Sequence, residues 1–203
     1  MARNTLATDT FTRADSSDLG ANWDPYTSLD QGCILSNWMQ PFSVANSSGF
    51  ETYNATVAGN NQWASVQLIT LNSTGGYVNV AVYARATAPN TFTGYLFAQQ
   101  SDLVFLGKQV AGVFTSLASV SHTATAFETL SIECVGTGLE GFIDAGSILT
   151  TTDSDIAGGR AGIGWFADTG ATTSDIVVDN FSMGDFTASD ATVHRGLLLG
   201  VGI

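Results

Sequence analysis

Apolar and polar side chains alternate along most of this chain with a period of two, the spacing of a strand that buries one face. The alternation is sharpest in YVNVAVYARA, where Val78, Val80, Val82 and Ala84 fall on one side and Tyr77, Asn79, Ala81, Tyr83 and Arg85 on the other. It recurs in QWASVQLITL, with Ala64, Val66 and Leu68 on one face, and in AGIGWFA, with Ala161, Ile163, Trp165 and Ala167 on one face. These stretches predict strands over Gln62–Leu71, Tyr77–Ala86 and Ala161–Ala167. Further strands are predicted over Thr5–Thr12, Cys33–Leu35, Asn37–Val44, Phe50–Val57, Phe92–Gln99, Leu103–Val110, Val113–Ser119, Thr129–Val135, Leu139–Asp144, Ile148–Thr151 and Asp175–Met183.

Between them lie NSTGG, APNT, QQSD, AG and GTG, whose residues favour turns. Pro41 cannot donate to a ladder and places its strand at an edge or a bend. The polar loop RADSSDLGANWD carries one large apolar ring, Trp23, expected to tuck under the loop against the sandwich edge. No stretch has helical periodicity. Strands about 8 to 12 residues apart, joined by Gly, Asn and Ser turns, predict an all-β antiparallel sandwich. Its shared core is expected to hold Leu68, Val80, Val82, Ile132, Ile163 and Trp165.

The pattern changes after residue 186. FTASDATVHRGLLLGVGI begins polar and ends almost wholly apolar, so Leu197, Leu198, Leu199, Val201 and Ile203 are expected to dock on a partner as an assembly element. The chain thus divides into a domain over residues 1–186 and a tail over 187–203.

At 203 residues, 44% hydrophobic and 12% charged, the chain fits one large β domain and is too apolar for disorder. Six Lys and Arg against eighteen Asp and Glu give a formal charge of −12, a field that repels phosphate backbones and anionic lipid surfaces. Neither nucleic acid nor membrane is expected as a partner. Cys33 and Cys134 lie far apart and form no C-x-x-C pair; they are expected as buried free thiols. The N-terminus MARNTLATDTFTRAD has no apolar signal-peptide core, and no segment has the run of about 18 apolar residues that spans a bilayer. Synthesis in a cytoplasm is expected, and the four N-x-S/T sequons carry no weight.

Catalytic patterns are absent. A retaining glucanase needs two carboxylates facing one cleft, but no E-x-D-x-x-E occurs. His122 and His194 have no G-x-S-x-G elbow to serve. The segment Asp153–Gly158 starts like a calcium loop, yet the twelfth position is Gly164 where an EF-hand has Glu. Asp153, Asp155 and Asp168 are read as turn residues bonding their own backbone, and no metal or cofactor is expected. The best ligand surface in the pattern is the non-core face carrying Tyr83 and Arg85, which could be shared with Tyr95 and Phe97 of the next hairpin.

Taken in order, DTFTRADSSDLGANWD, NNQWASVQLI, GGYVNVAVYARA, TLSIECVGTGLEGFIDAG, GRAGIGWF and IVVDNFSMGD resemble the laminin-G-like branch of the concanavalin A-like lectin/glucanase superfamily. The resemblance covers roughly residues 5 to 186. It implies a jelly roll of two antiparallel sheets packed face to face, with the first and last strands as neighbours. Fold does not fix function in that superfamily. The expected role is a non-enzymatic virion component of a bacteriophage, a capsid decoration or fibre-associated protein, partnered by other virion proteins or by further copies of itself. The alternative is a carbohydrate-binding module that takes glycans.

Overall fold

The computed structural model describes residues 1–26, 29–43, 47–55, 57, 59–72, 77–87, 92–168 and 170–187. Fifteen strands are described: β1 Ala2–Asp9, β2 Trp23–Pro25, β3 Gly32–Leu35, β4 Trp38–Pro41, β5 Ser47–Tyr53, β6 Gln62–Leu71, β7 Val78–Ala86, β8 Gly94–Gln100, β9 Leu103–Val110, β10 Val113–Ser121, β11 Thr129–Val135, β12 Gly138–Ile143, β13 Gly146–Thr152, β14 Arg160–Ala167 and β15 Ile176–Thr187. Among the described residues one 3₁₀ turn, Thr173–Asp175, precedes β15.

The strands form two antiparallel sheets. One runs β13-β12-β11-β6-β15-β4-β3, with β1 also pairing β15 to make eight; the other runs β10-β9-β8-β7-β14-β5-β2. β1 lies along β15 from Ala2 opposite Thr187 to Asp9 opposite Phe181, so the first and last strands are neighbours as the resemblance implied. Between the sheets, Leu68, Val80, Val82, Ile132, Ile163 and Trp165 sit in one buried cluster, as the alternation predicted. The jelly-roll sandwich is therefore the observed fold.

Predicted and observed strands coincide residue for residue at β6, β9 and β11. The first strand ends at Asp9, three residues short of Thr12, because the Asp9 carboxylate turns the chain. It accepts from the Phe11 backbone at 2.8 Å, from Trp23 Nε1 at 2.8 Å and from Arg13 at 2.7 Å. Trp23 packs against Phe181, ring centroids 4.9 Å apart, and so closes that edge as expected. Its strand β2 was read as loop, since three residues carry no period. β15 continues to Thr187 because β1 supplies a partner for its end.

Cys33 is half-buried with its thiol 3.7 Å from the Pro41 carbonyl, and Cys134 lies in the core; both are free thiols. Burial pushes the Cys134 thiol up to about 12. The tail residues Leu197, Leu198, Leu199, Val201 and Ile203 lie outside the described residues, as does His194.

Candidate functional site

The face expected to carry Tyr83, Arg85, Tyr95 and Phe97 together does not exist, for two reasons of register. Across β7 and β8, Tyr83 stands opposite Leu96, while Ala84 and Val82 stand opposite Tyr95 and Phe97. Directly opposed residues share a face. Tyr95 and Phe97 therefore point inward with the valines, fully buried in the main core, and Tyr83 alone points outward. The parity of β8 is seen in its register against β7, which alternation within each strand cannot reveal.

The second reason is a bulge. Between the pairs Arg160–Ala86 and Gly162–Tyr83, β14 spends one residue and β7 two. Arg85 takes φ 52° at this extra position, and its side chain is 2% exposed. A bulge re-aims a side chain, and here the guanidinium turns inward. It donates to the carbonyls of Asn60 at 2.7 Å, Ile156 at 3.1 Å and Gly136 at 2.6 Å, and lies 5.7 Å from the Tyr95 ring centroid. Gly159 follows the bulge closely: a Cβ there would come within 2.5 Å of the Ala86 carbonyl oxygen. Arg85 and Tyr95 thus meet, but as a brace between loops.

The same brace uses Asp153 and Asp155. Tyr95 Oη donates to Asp153 at 2.6 Å, and Lys108 Nζ reaches Asp153 at 2.6 Å and Asp155 at 2.5 Å. Burial opposes ionisation of Asp153, but Lys108 and the Tyr95 hydroxyl outweigh it and hold its carboxyl below the ordinary range. Burial, then the bond to Asp153, pushes the Tyr95 hydroxyl up to about 12. Asp155 N–H donates to Asp153 at 2.9 Å, the self-bonded turn that the sequence predicted. Asp168 lies elsewhere, at the end of β14.

Outward from the seven-stranded sheet lies a trough of about 800 Å³. Its floor follows from side-chain size along cross-strand rows. One row reads Phe50, Gly164, Ala81, Ala98, Phe105 from β5 to β9, and the next reads Thr52, Gly162, Tyr83, Leu96, Gly107. Of the small residues in the middle of these rows, Ala81 and Gly164 line the floor, the Tyr83 ring lies 2.7 Å from where a Gly164 Cβ would stand, and bulky residues at the margins enclose the hollow. One wall is Phe105 against Phe114, edge to face at 5.6 Å; the opposite wall is Tyr77 against Phe166, edge to face at 5.5 Å. An end is packed by Phe50, Tyr83 and Phe92, with Phe50 and Phe92 at 4.5 Å and Tyr26 beyond them.

Polar groups are few and placed at the margins. Tyr83 Oη donates to Gln109 Oε1 at 2.8 Å, and burial holds this phenol well above its ordinary range, hence neutral. Asn79 Nδ2 donates to Tyr77 Oη at 3.4 Å. Asp168, whose N–H donates to the Tyr77 carbonyl at 2.8 Å, is the one acid among the described lining residues. Aromatic faces stack on apolar C–H faces, and amides and a carboxylate at the rim exchange hydrogen bonds with hydroxyl groups. Hydrolysis of a glycoside, by contrast, needs two carboxyl groups flanking one bond. Of the residues chosen from sequence only Tyr83 belongs here. Phe105, Phe114, Phe166 and Asn79 were missed, although small residues recurring at outward positions, Ala81, Gly162 and Gly164, were a signal of close approach.

No family model and no curated protein sequence matches the chain. Solved structures do match in fold. The carbohydrate-binding module CBM66 from Bacillus subtilis is 17% identical with a TM-score of 0.63, over 79% of this chain and 92% of that one. The laminarinase from Rhodothermus marinus is 10% identical with a TM-score of 0.63, over 92% and 99%. The carbohydrate recognition domain of Emp46p, in its potassium-bound form, is 10% identical with a TM-score of 0.61, over 91% and 97%. The fold is accordingly the galectin-like, concanavalin A-like β-sandwich. A binding module, a glycanase and a lectin domain share it, so these neighbours do not single out the laminin-G-like branch.

Proposed function

We propose that this protein is a non-enzymatic carbohydrate-binding module whose saccharide site is the trough on the outer face of the seven-stranded sheet. The observation that carries the reading is the pair of aromatic walls, Phe105 with Phe114 and Tyr77 with Phe166, enclosing a Gly and Ala floor. Its volume falls within the range of about 300–1,000 Å³ typical of small-molecule sites. The presence of a carbohydrate-binding module and a lectin domain among its structural neighbours agrees with this reading. A single acid among the described lining residues favours binding over hydrolysis. The other expectation, a bacteriophage virion component, rested on a single jelly roll without a secretion signal, the absence of a catalytic pattern, an acidic surface and the apolar tail, and gains no observation here, so the carbohydrate-binding alternative takes its place.

Phe114 is 47% exposed and Phe166 39%, so truncating either removes stacking surface without opening the core. In calorimetric titration against a saccharide panel, Phe114→Ala and Phe166→Ala should weaken binding at least about tenfold, equivalent to about 1.4 kcal/mol. Phe142→Ala, on β12 of the other sheet, should bind as the parent does. Binding unaffected by both trough variants, or no binding to any saccharide, sinks the reading.

A further inference from the structure

The chain has six basic residues, Arg3, Arg13, Arg85, Lys108, Arg160 and Arg195, and the first five are already engaged. Arg3 pairs with Glu133 at 2.7 Å, and Arg13 with Asp9 at 2.7 Å. Lys108 pairs with Asp153 and Asp155, and Arg160 with Asp24. Arg85 is committed to three backbone carbonyls. None of these five lines the trough, and Arg195 lies outside the described residues. Among the described lining residues Asp168 carries the one charged side chain, on a chain of formal charge −12.

Moving an anionic group into an aromatic hollow removes its hydration, which requires a cation or several donors in return. Here it would meet a carboxylate and a repulsive field instead. A hydroxyl group has no such difficulty. It can donate to Asp168 and accept from Asn79, while the sugar's C–H faces lie on Phe114 and Phe166.

Resting on the reading of the trough as a saccharide site, we infer that it selects uncharged saccharides and rejects those bearing carboxylate, sulfate or phosphate groups. The selectivity comes from the commitment of the five described basic side chains elsewhere and from the negative charge of the chain, with Asp168 as the acidic group among the described lining residues.

The test is titration of the full chain with neutral oligosaccharides (cello-, laminari-, xylo- and manno-oligomers) and with anionic ones of equal length (oligogalacturonate, alginate and sulfated oligomers), at low and high salt. At least one neutral oligomer should bind, with an affinity insensitive to salt and reduced by Phe114→Ala. Every anionic oligomer should bind at least about tenfold more weakly at low salt, and the gap should narrow as salt screens the repulsion. Asp168→Asn should narrow it too; if that variant loses its native melting transition, the salt series decides alone. An anionic oligomer that binds as well as the best neutral one, and is weakened by Phe114→Ala, overturns the selectivity while leaving the saccharide site standing. Absence of binding by both classes overturns site and selectivity together.

Discussion

The two faces of β7 and β14 are built by the same alternation and end in opposite ways. Inward, Val78, Val80, Val82, Ala84, Ile163 and Trp165 meet the eight-stranded sheet and are buried in one cluster. Outward, Ala81, Tyr83, Gly164 and Phe166 have no second sheet above them among the described residues; Tyr26, Leu29 and Phe92 cover part of this face, and a smaller cluster forms beside a hollow. Hydrophobicity does not separate the two faces, because both are apolar. Side-chain volume and the nature of the cover do: β-branched residues fill the space of about 10 Å between packed sheets, whereas Gly and Ala under aromatic margins leave room. The outer face of the other sheet reinforces the contrast. Its large ring, Trp63, lies under the Arg3 guanidinium at 4.9 Å, and is 4% exposed.

The largest effect expected from breaking this comparison is at Trp165. Its ring occupies the space above Gly49, where a Cβ would stand 1.8 Å from Cζ2, and a glycine has no side chain to fill the void that truncation would leave. Trp165→Ala should cost about 3–5 kcal/mol in urea denaturation. Phe166→Ala, one residue on and facing out, should cost about 1 kcal/mol or less. Equal losses at the two positions would mean that the inner and outer faces are not distinct.

Glu51 sharpens the comparison from inside, being a carboxyl on the buried face of β5, opposite Ile163. It accepts from Gly32 N–H of β3 at 2.5 Å and so ties the two sheets together. Burial, assisted by the charge on Asp18 and opposed by the Gly32 bond, raises its pKa from 4.5 to about 7. The native state therefore holds a proton that the unfolded chain gives up at lower pH. The contribution of Glu51 is intact below about pH 4.5, declines as pH rises, and is lost above about pH 7, a span of about 3 kcal/mol. Gln keeps an acceptor for Gly32 and has no charge to bury. Glu51→Gln should match the parent near pH 4 and be more stable by about 2–3 kcal/mol at pH 8. A difference that does not change with pH would show that Glu51 is not desolvated in the fold.

The inner face was legible because its evidence is local. Val78 to Ala84 and Ala64 to Leu68 each display their period within one strand, and the six predicted core residues needed nothing more. The trough depends on relations between strands. Tyr95 was misplaced because nothing in β8 says whether it opposes Tyr83 or Ala84, and Arg85 because one extra residue in β7 reverses the alternation. Phe105, Phe114 and Phe166 lie on three strands and become one site only when register brings them to its margins. Glu51 looked like any strand carboxylate; its partner, Gly32, belongs to the other sheet.

The smallest change in stability is expected where the comparison matters most for function. Ala81 stands in the trough floor between Gly164 of β14 and Ala98 of β8, with its methyl group directed outward. Its inward neighbours Val80 and Val82 are unaffected by a larger side chain pointing away from them. Ala81→Leu adds three carbons to the hollow, where they gain contacts with Phe105 and Leu96 instead of forcing a packed core apart, as the same change would do at Ala84. Burial of that added surface offsets the loss of rotamer freedom. The net change in unfolding free energy should therefore stay within about 1 kcal/mol. Saccharide binding should be abolished all the same, because the leucine occupies the floor on which a sugar ring would rest. If Ala81→Leu instead destabilises the protein by as much as Trp165→Ala, the outer face is already filled and there is no trough to bind in. A variant that is stable and still binds would move the saccharide site off this sheet altogether.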